Sequence, residues 1–475
     1  MSVAAVRPRL SVERVPAVIV AAVALVPVVI FLASPTFPQY DSYFHLVWGR
    51  GLLHGVKPDF EAYAAPTEHP LYVALGAAFS LLGTSGGERG LVLFTLLSLS
   101  ALTVAVYRLA LRLFGPWPGV VAALFTGSSF ALLLYAVRAY VDVPFLALVF
   151  WAAALEAERP RRGMPVMALL TLAGLLRPEA WLLLGAYWLW CRGWRSPWLT
   201  VLVAAPPVLW AVVDAAGTGD PLHSLHATSS LAETLGRERG LRHVPGAFVT
   251  LLSDVARPPV ALLGVIGAVL AVRRWGWERM VVPLALLGAG TLTFVATGVA
   301  GLSILPRYLT VPAVALCVFA GYALVGFTTL AVRSRLWERL AVAAAILGLV
   351  FAVVKAPSFN RLRDELSFVH SSHDDLVALL HTPAVRRGMR CGPITYPNYR
   401  LVPDTRWLLD LPHGRVGARS ARRHAHGVEV FVLGVKGLKR YGFAQGASPT
   451  TDAPDPGYVP AVRNRSFSAY VSCPA

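Results

Sequence analysis

The chain has 475 residues, of which 56% are hydrophobic and only 15% are charged, and its formal net charge is +17. A soluble domain carries roughly 25% charged residues, so the composition excludes an ordinary soluble protein and predicts an integral membrane protein. The positive charge does not indicate nucleic-acid binding, because the Arg residues lie between apolar runs, where they contact anionic lipids and set topology, and no nucleic-acid-binding pattern accompanies them.

Eleven apolar runs predict an all-α polytopic membrane bundle of about 11 transmembrane helices, since a span needs about 20 apolar residues. The first run is longer than the roughly 7–15 residues of a signal-peptide core, so we interpret it as an uncleaved span. Arg177-Pro178 separates two short runs that together form a helical hairpin. The predicted spans are 15–33, 90–107, 117–137, 143–157, 164–176, 180–191, 198–215, 258–272, 280–299, 309–331 and 340–355.

Arg placement predicts the orientation of this bundle. With the N-terminus in the cytoplasm, every short inner segment carries at least two Arg residues, which is the positive-inside pattern of a multi-pass plasma-membrane protein. The apolar run 69–83 is then re-entrant or interfacial, because counting it as a span would invert every later loop. A long outer loop, 34–89, follows the first span and indicates function.

The segment QYDSYFHLVWGRGLLHG (39–55) in that loop predicts an amphipathic helix in the headgroup layer. His45 and Arg50 would face away from its apolar side, and the helix would hold Asp41 beside the bilayer. The apolar side chains at helical spacing are Phe44, Val47, Trp48 and Leu52.

The sequence divides into a membrane domain, 1–356, and a soluble α/β domain, 357–475, on the non-cytoplasmic side. Helical spacing groups Leu376, Leu379 and Leu380 on one face, and GVEVFVLGV (427–435) predicts a strand. Two cysteines of this region, at positions 391 and 473, can form a disulfide if the domain lies outside the cytoplasm. Tyr396, Tyr399 and Trp407 belong to the domain core or stack on sugar rings.

Ionisable residues near the span ends gather on the outer side of the predicted bundle. Charges at a membrane edge are costly unless they are paired or hydrated, so their gathering on one side indicates a functional site. The candidate site residues are Asp41, Glu68, His69, Arg138, Asp142, Arg177, Glu179, His223, His226, Arg307 and Tyr308.

Five features, in this order and spacing, resemble the GT-C membrane glycosyltransferases, and among them the protein O-mannosyltransferases and lipid A aminoarabinose transferases. They are the acid after span one, TEHPLY (67–72), YAVRAYVDVPF (135–145), GLLRPEAW (174–181) and RYLTVPAVAL (307–316). The resemblance covers residues 15–330. It implies a GT-C-like bundle that transfers a sugar from a polyprenyl-phosphate donor to a lipid, glycan or protein acceptor.

The resemblance also implies roles for individual residues. Asp41 matches the first-loop acid, the expected catalytic base, and Asp142 matches the second acid, after span three; with Glu68 they are the expected catalytic residues. Glu68 matches the acid of a Glu-x-Pro-Pro-Leu-like segment, although this chain has one Pro fewer and has His69 where a Lys often stands. Either of two loop histidines, His223 and His226, can bind a divalent metal cation together with Glu68.

The expected chemistry explains these residue types. A carboxylate orients the acceptor hydroxyl and takes its proton, and direct displacement then inverts the sugar's anomeric centre. Guanidinium groups stabilise the charge that builds on the leaving phosphate, which gives Arg138, Arg177 and Arg307, with Tyr308, a donor-phosphate role. His69 and Glu179 would bind the acceptor or support the site.

Two other classes of protein stay open at this stage. A secondary transporter or lipid flippase usually carries mid-membrane charges on broken helices and shows internal repeats, whereas here the charges lie at one edge and no repeat is visible. A non-catalytic scaffold would use its basic C-terminal region, with 16 Lys and Arg against 9 Asp and Glu from Arg361 onward, to bind an anionic cell-envelope polymer.

Overall fold

The structure is a computed structural model and describes residues 9–234, 236–330, 334–441 and 453–474. It is mostly helical and has one small sheet. The helices are α1 Arg9–Ala33, α2 Tyr40–Leu53, α3 Pro70–Ser80, α4 Gly83–Phe114, α5 Pro116–Gly127, α6 Phe130–Val137, α7 Asp142–Glu158, α8 Met164–Leu176, α9 Ala180–Trp190, α10 Pro197–Thr218, α11 His223–Thr234, α12 Val244–Ala256, α13 Pro258–Arg279, α14 Val281–Val299, α15 Thr310–Val325, α16 Arg335–Lys355, α17 Pro357–Leu380, α18 Pro383–Cys391, α19 Val402–Leu409 and α20 Val435–Tyr441. The strands are β1 Ile394–Tyr396, β2 Val416–Ala418, β3 Gly427–Val432, β4 Val459–Arg463 and β5 Phe467–Ser472.

The predicted helical membrane bundle is confirmed. Among the described residues, seven helices are long and apolar enough to cross a membrane, or eight if α5 and α6, which meet at a bend of 54°, form one broken span. Each of the eleven predicted spans overlaps a helix, and residue 331, the last of span 309–331, lies outside the described residues. Helices α7, α8 and α9 have only 17, 13 and 11 residues, fewer than the about 20 of a full span, so the number of crossings is smaller than eleven by the criterion of length.

An arginine stabilises the break between α5 and α6. The guanidinium of Arg257 donates hydrogen bonds to the Phe125 and Ser128 carbonyls and to the Ser128 hydroxyl. Carbonyls released at a helix break need such partners in a membrane, where water does not reach them. The break lets α6 end at Val137, directly before Arg138.

Helix α2 is confirmed as a helix, but the prediction that it is amphipathic is wrong. Its residues 42–49 are all buried, so His45 is as buried as Trp48, each with 1% of its surface exposed. Leu52, expected on the apolar face, is instead 49% exposed. The physical reason is that α2 packs against α3 and also against α19 of the C-terminal domain, so both of its faces are covered.

Two glycines allow α2 and α3 to approach closely. A Cβ added to Gly49 would lie 2.1 Å from the Ala77 nitrogen, and one added to Gly76 would lie 2.2 Å from the His45 carbonyl oxygen. Both distances are far below van der Waals contact, so any side chain at either position would force the helices apart. The segment predicted as re-entrant, 69–83, thus forms α3 and the start of α4, with α3 held against α2.

The C-terminal region folds as the predicted α/β domain, with strand order β2-β1-β3-β5-β4. Strands β2, β1 and β3 are parallel, and β5 and β4 continue the sheet antiparallel. The predicted leucine face at the end of α17 is buried against the sheet. A disulfide joins Cys391, at the end of α18, to Cys473, just after β5, with Cα atoms 5.1 Å apart. Tyr396 and Trp407 are core residues, 1% and 0% exposed.

The chain forms two compact units, each discontinuous in sequence. The first comprises Met1–Ala33, Leu93–Trp210 and Arg239–Leu362. The second comprises Ser34–Val92, Ala211–Glu238 and Arg363–Ala475. The predicted first outer loop therefore belongs to the same unit as the C-terminal domain, a grouping that the linear division into 1–356 and 357–475 does not express.

Candidate active site

The first cluster of predicted site residues lies within the first unit and begins at Asp142. This residue opens α7 and is fully buried. The preceding turn places Ala139 at a positive φ of 56°, and the Tyr140 amide closes the turn on the Tyr135 carbonyl at 2.9 Å. The turn reverses the chain between α6 and α7, so the carboxylate of Asp142 lies inside the bundle rather than on its surface.

Arg177 is the centre of this cluster. It precedes Pro178, and the residue before a proline is disfavoured in helical conformation; α8 accordingly ends at Leu176 and Arg177 is extended, with φ −150° and ψ 131°. Its guanidinium pairs with Asp142 and with Glu179, the latter through Nε and Oε1 at 3.0 Å. Arg177 is 4% exposed, so it holds a buried ionic triad together.

Two carboxylate oxygens of this triad retain accepting capacity. Asp142 Oδ2 and Glu179 Oε2 are buried and accept no hydrogen bond from the part of the chain that the structure describes. A buried, unsatisfied carboxylate oxygen is costly. Arg307 supplies further positive charge to both carboxylates.

A small pocket opens beside the triad. Arg307 reaches it from a short 3₁₀ turn, Pro306–Leu309, directly before α15. The guanidinium of Arg177 lies 5.3 Å from the centre of the Tyr308 ring and that of Arg307 lies 5.9 Å from it. The residues that line the pocket are Phe145, Arg177, Glu179, Leu183, Gly290, Thr293, Arg307, Tyr308, Thr310 and Val311.

The pocket presents the guanidinium groups of two arginines to a ligand. Arg177, Arg307 and Glu179 line it, and with Asp142, which pairs with Arg177, their four charges sum to zero. Asp142 does not line the pocket but interacts electrostatically with both arginines. The predicted phosphate-binding residues Arg177, Arg307 and Tyr308 are thus brought together. Arg138 is buried at the end of α6 and does not line the pocket.

The second cluster lies within the second unit and is organised by His45. Its Nδ1 lies 2.5 Å from the Asp41 carbonyl oxygen, which only accepts, and its Nε2 lies 3.4 Å from the His69 amide, which donates. These partners require a neutral ring with the proton on Nδ1, and burial lowers the pKa of His45 to about 4. One neutral imidazole therefore joins the backbone at Asp41 to the backbone that follows Glu68.

Glu68 is buried beside a second acid, Asp214. The Ser224 amide and hydroxyl donate to the two Asp214 oxygens at 2.9 and 2.8 Å, and both residues interact with the Glu68 carboxyl. Burial, with the neighbouring Asp214 charge, raises the pKa of Glu68 to about 7. The Glu68 carboxyl, 2% exposed, is thus able to hold or release a proton near neutral pH.

The three predicted metal ligands are not gathered in one place. His223 Nε2 lies 3.9 Å from Glu68 Oε1, whereas the His226 Nδ1 pairs with Asp220 Oδ2 at 2.6 Å on the exposed side of α11. Among the described residues, no group of three His, Cys, Asp or Glu side chains is placed to hold a metal ion. Glu68 and His223 alone do not fit a resident metal, which needs more protein ligands.

Sequence reasoning missed Asp214 and gave His45 no role. Asp214 lies inside the apolar run 198–215 and is 3% exposed. A carboxylate within a predicted span is itself a signal of function, because its burial is costly, and that signal was present in the sequence. The tautomer-specific contacts of His45 had no sequence signal, since they depend on how α2 packs on α3.

The overall fold of this chain is similar to that of solved structures of ArnT. No family model and no curated protein matches the sequence. The solved structures similar to it include ArnT from Cupriavidus metallidurans bound to undecaprenyl phosphate, at 14% identity and TM-score 0.55, covering 97% of this chain and 99% of that one. ArnT in the apo state matches at 13% identity and TM-score 0.56 with the same coverage. A tethered oligosaccharyltransferase from Archaeoglobus fulgidus matches at 13% identity and TM-score 0.48, covering 85% of this chain and 64% of that chain.

Proposed function

We propose that this protein is a glycosyltransferase that moves a sugar from a polyprenyl-phosphate donor to an acceptor hydroxyl. The observation that carries the proposal is the pocket lined by Arg177, Arg307 and Tyr308, which presents two guanidinium groups, within a GT-C fold. The similarity to ArnT bound to undecaprenyl phosphate supports a donor of that chemical class, because a polyprenyl phosphate presents a monoanionic or dianionic head at the end of an apolar chain.

The donor phosphate belongs in the arginine pocket. Its oxygens would accept from Arg177 and Arg307, and charge-assisted bonds of this kind strengthen as negative charge develops on a leaving group. Asp142 holds Arg177 in place, so its part in the reaction is to orient that guanidinium. Glu179 does the same from the other side of the guanidinium. Arg138 adds positive charge near Asp142 in the chain and is a further donor-side candidate.

Asp41 is the proposed general base, in the role that the GT-C resemblance assigns to it. It would take the proton of the acceptor hydroxyl while that oxygen bonds to the anomeric carbon and the bond from that carbon to the phosphate oxygen breaks. The products are the glycosylated acceptor and a polyprenyl phosphate, and the anomeric centre inverts. Glu68 and His69 lie on the segment that His45 connects to Asp41 and would support the acceptor.

The proposed reaction needs no metal-dependent step. Some GT-C members are expected to bind a cation through a loop histidine, and here only Glu68 and His223 approach each other. A divalent cation is therefore a separate prediction, and it would need ligands beyond these two residues. Transfer that survives extensive chelation would remove it without affecting the rest of the proposal.

The non-cytoplasmic side of the plasma membrane is the proposed site of the reaction. The disulfide between Cys391 and Cys473 supports an oxidising compartment for the C-terminal domain, because disulfides persist outside the cytoplasm. The Arg pattern of the inner segments supports a cytoplasmic N-terminus.

The test is purification of the full chain in detergent, mass spectrometry of co-purifying lipids, and a transfer assay with the polyprenyl-phosphate sugar found. We expect Asp41→Asn to lower transfer by about 10²- to 10⁴-fold, the usual contribution of a general base, at unchanged protein level. Arg307→Ala should weaken donor use more than acceptor use. The matched control is Arg273→Ala, which removes an exposed guanidinium from α13.

Two results would contradict the proposal. Near-normal transfer by Asp41→Asn would remove the catalytic role of this acid. Movement of a polyprenyl phosphate across proteoliposomes without any sugar transfer would identify a flippase instead.

A further inference from the structure

The C-terminal domain contacts α2 at its first residue and near its end. At the first residue of α2, the Tyr40 ring meets the Tyr399 ring edge-on, with centroids 5.2 Å apart. In the middle, Trp48 Nε1 donates to Asp59 Oδ1 at 2.9 Å, and Asp59 Oδ2 accepts from Arg406 at 2.7 Å. Because Asp41 lies in the first turn of α2, these contacts fix the helix that carries the proposed base.

The end of α2 makes the strongest of these contacts. The Arg50 Nη1 and Nη2 atoms donate to the Trp407 and Arg406 carbonyls, each at 3.1 Å. Its Nε pairs with Asp410 at 2.9 Å, and the guanidinium lies 4.2 Å over the Trp407 ring. One arginine of α2 is thus engaged through all three of its nitrogens and through its face.

Arg50 acts as a C-terminal cap for α19. The last carbonyls of a helix have no partner within it and carry its partial negative charge, and the accepting carbonyls of Arg406 and Trp407 lie in the last turn of α19. A cation on these carbonyls is the favoured arrangement. The Trp407 carbonyl therefore gains a partner more than 350 positions away in sequence, and the Arg406 carbonyl, which also accepts from the Leu411 amide, gains a second donor.

Trp407 fixes the other side of this contact. It is fully buried, and its Nε1 donates to the Thr84 carbonyl at 3.3 Å. A Cβ added to Gly87 would lie 2.8 Å from the Trp407 ring, so the start of α4 leaves space for the indole and for nothing larger. The ring is held between the first turns of α4 and the guanidinium of Arg50.

We propose that the C-terminal domain is the positioning element of α2, and through α2 of Asp41. The link consists of Arg50, Asp59, Arg406 and Trp407 and is called here the α2 clamp. This inference rests on the proposed function for its catalytic consequence, but the attachment of α2 is measurable without it. It assigns the domain a part in transfer that does not require the domain to bind substrate.

The experiment compares full-length variants in detergent by hydrogen exchange of the α2 amides and by transfer kinetics. Arg50→Ala should raise exchange across 40–53 by about tenfold or more, the effect of losing hydrogen bonds to a charged group. It should also lower kcat by a similar factor while the KM for the polyprenyl-phosphate donor stays unchanged. Arg50→Lys retains a cation for Asp410 but cannot bridge two carbonyls. Its α2 exchange rate and its kcat should lie between those of Arg50→Ala and those of the wild type.

The matched control is Arg415→Ala. Arg415 also donates its guanidinium to a backbone carbonyl, that of Met389, but within the C-terminal domain, so its loss should leave α2 exchange and kcat unchanged. Trp407→Ala removes a fully buried ring and can prevent folding. Trp407→Phe retains an aromatic ring under Arg50, so its kcat should stay near that of the wild type.

Each outcome bears on the proposal. Unchanged α2 exchange in Arg50→Ala overturns the clamp whatever the activity of the protein. Faster α2 exchange with unchanged kcat overturns the positioning role. If the wild type transfers no sugar, the proposed function fails, and the exchange data alone then decide whether the domain fixes α2.

Discussion

The two buried clusters of acids handle charge in opposite ways. In the first unit, Asp142 and Glu179 share one guanidinium, that of Arg177. In the second unit, Glu68 lies beside another acid, Asp214, and its pKa is raised to about 7. A paired carboxylate keeps its charge and fixes its partner's position, whereas an acid next to an acid readily holds a proton. The first arrangement suits the binding of an anion, and the second suits proton exchange.

The largest effect that tests this comparison is expected from Arg177→Ala. It leaves two buried carboxylates without their cation, and breaking a buried ion pair costs about 3–5 kcal/mol. We expect a loss of that size in the free energy of unfolding in detergent, with Asp142→Asn costing less because it leaves Arg177 paired with Glu179. Equal stability of Arg177→Ala and wild type would show that the triad is not buried as described.

The next effect concerns the pH dependence of stability in the second unit. Glu68 has a pKa of about 7 when folded against an ordinary value near 4.5, so its contribution is full below pH 4.5 and is lost as the pH rises through 7. His45 has a pKa of about 4 when folded against about 6.5, so its contribution grows as the pH rises from 4 to 6.5. Between about pH 4.5 and 6.5 the contribution of Glu68 to stability falls with pH while that of His45 rises, so the two changes oppose each other.

In Glu68→Gln, the pH dependence of the free energy of unfolding should therefore show the contribution of His45 without the opposing contribution of Glu68. We expect this variant to gain roughly 3 kcal/mol of stability between pH 4 and pH 6.5, because each pKa shift is about 2.5 units and one unit is worth about 1.4 kcal/mol. Unfolding midpoints in detergent across this range, compared with those of the wild type, provide the measurement. If the unfolding midpoint of Glu68→Gln depended on pH no more than that of the wild type, the opposing contributions of Glu68 and His45 would be contradicted.

The smallest expected effect is that of Tyr308→Phe in the arginine pocket. The ring that lies 5.3 Å from the Arg177 guanidinium is retained, so donor affinity should change by less than about 1 kcal/mol. Tyr308→Leu removes the ring's quadrupole and should cost more, about 0.5–2 kcal/mol. Donor KM values for the two variants make the comparison. A large change in donor KM in Tyr308→Phe would show that the Tyr308 hydroxyl, rather than its ring, contributes to donor binding.

The sequence by itself determined the membrane class, the positions of the long apolar helices and the α/β character of the C-terminal region. Hydrophobic length and periodicity are local properties, and Arg177-Pro178 marks its own helix end because the residue before proline resists helical geometry. Local sequence also predicted the leucine face of α17. Periodicity failed for α2: the spacing of its apolar residues predicted one exposed face, whereas both faces are covered by α3 and α19.

Only the tertiary structure decided which charges meet. Arg177 lies 35 positions from Asp142, and Glu68 lies more than 140 positions from Asp214, so no local pattern pairs them. The burial of His45 depends on Gly49 and Gly76, which let α2 and α3 approach. The cap that Arg50 places on α19 joins residues from opposite ends of the chain. Pairing energies depend on distance in space and on the exclusion of water, and both arise only when the helices pack.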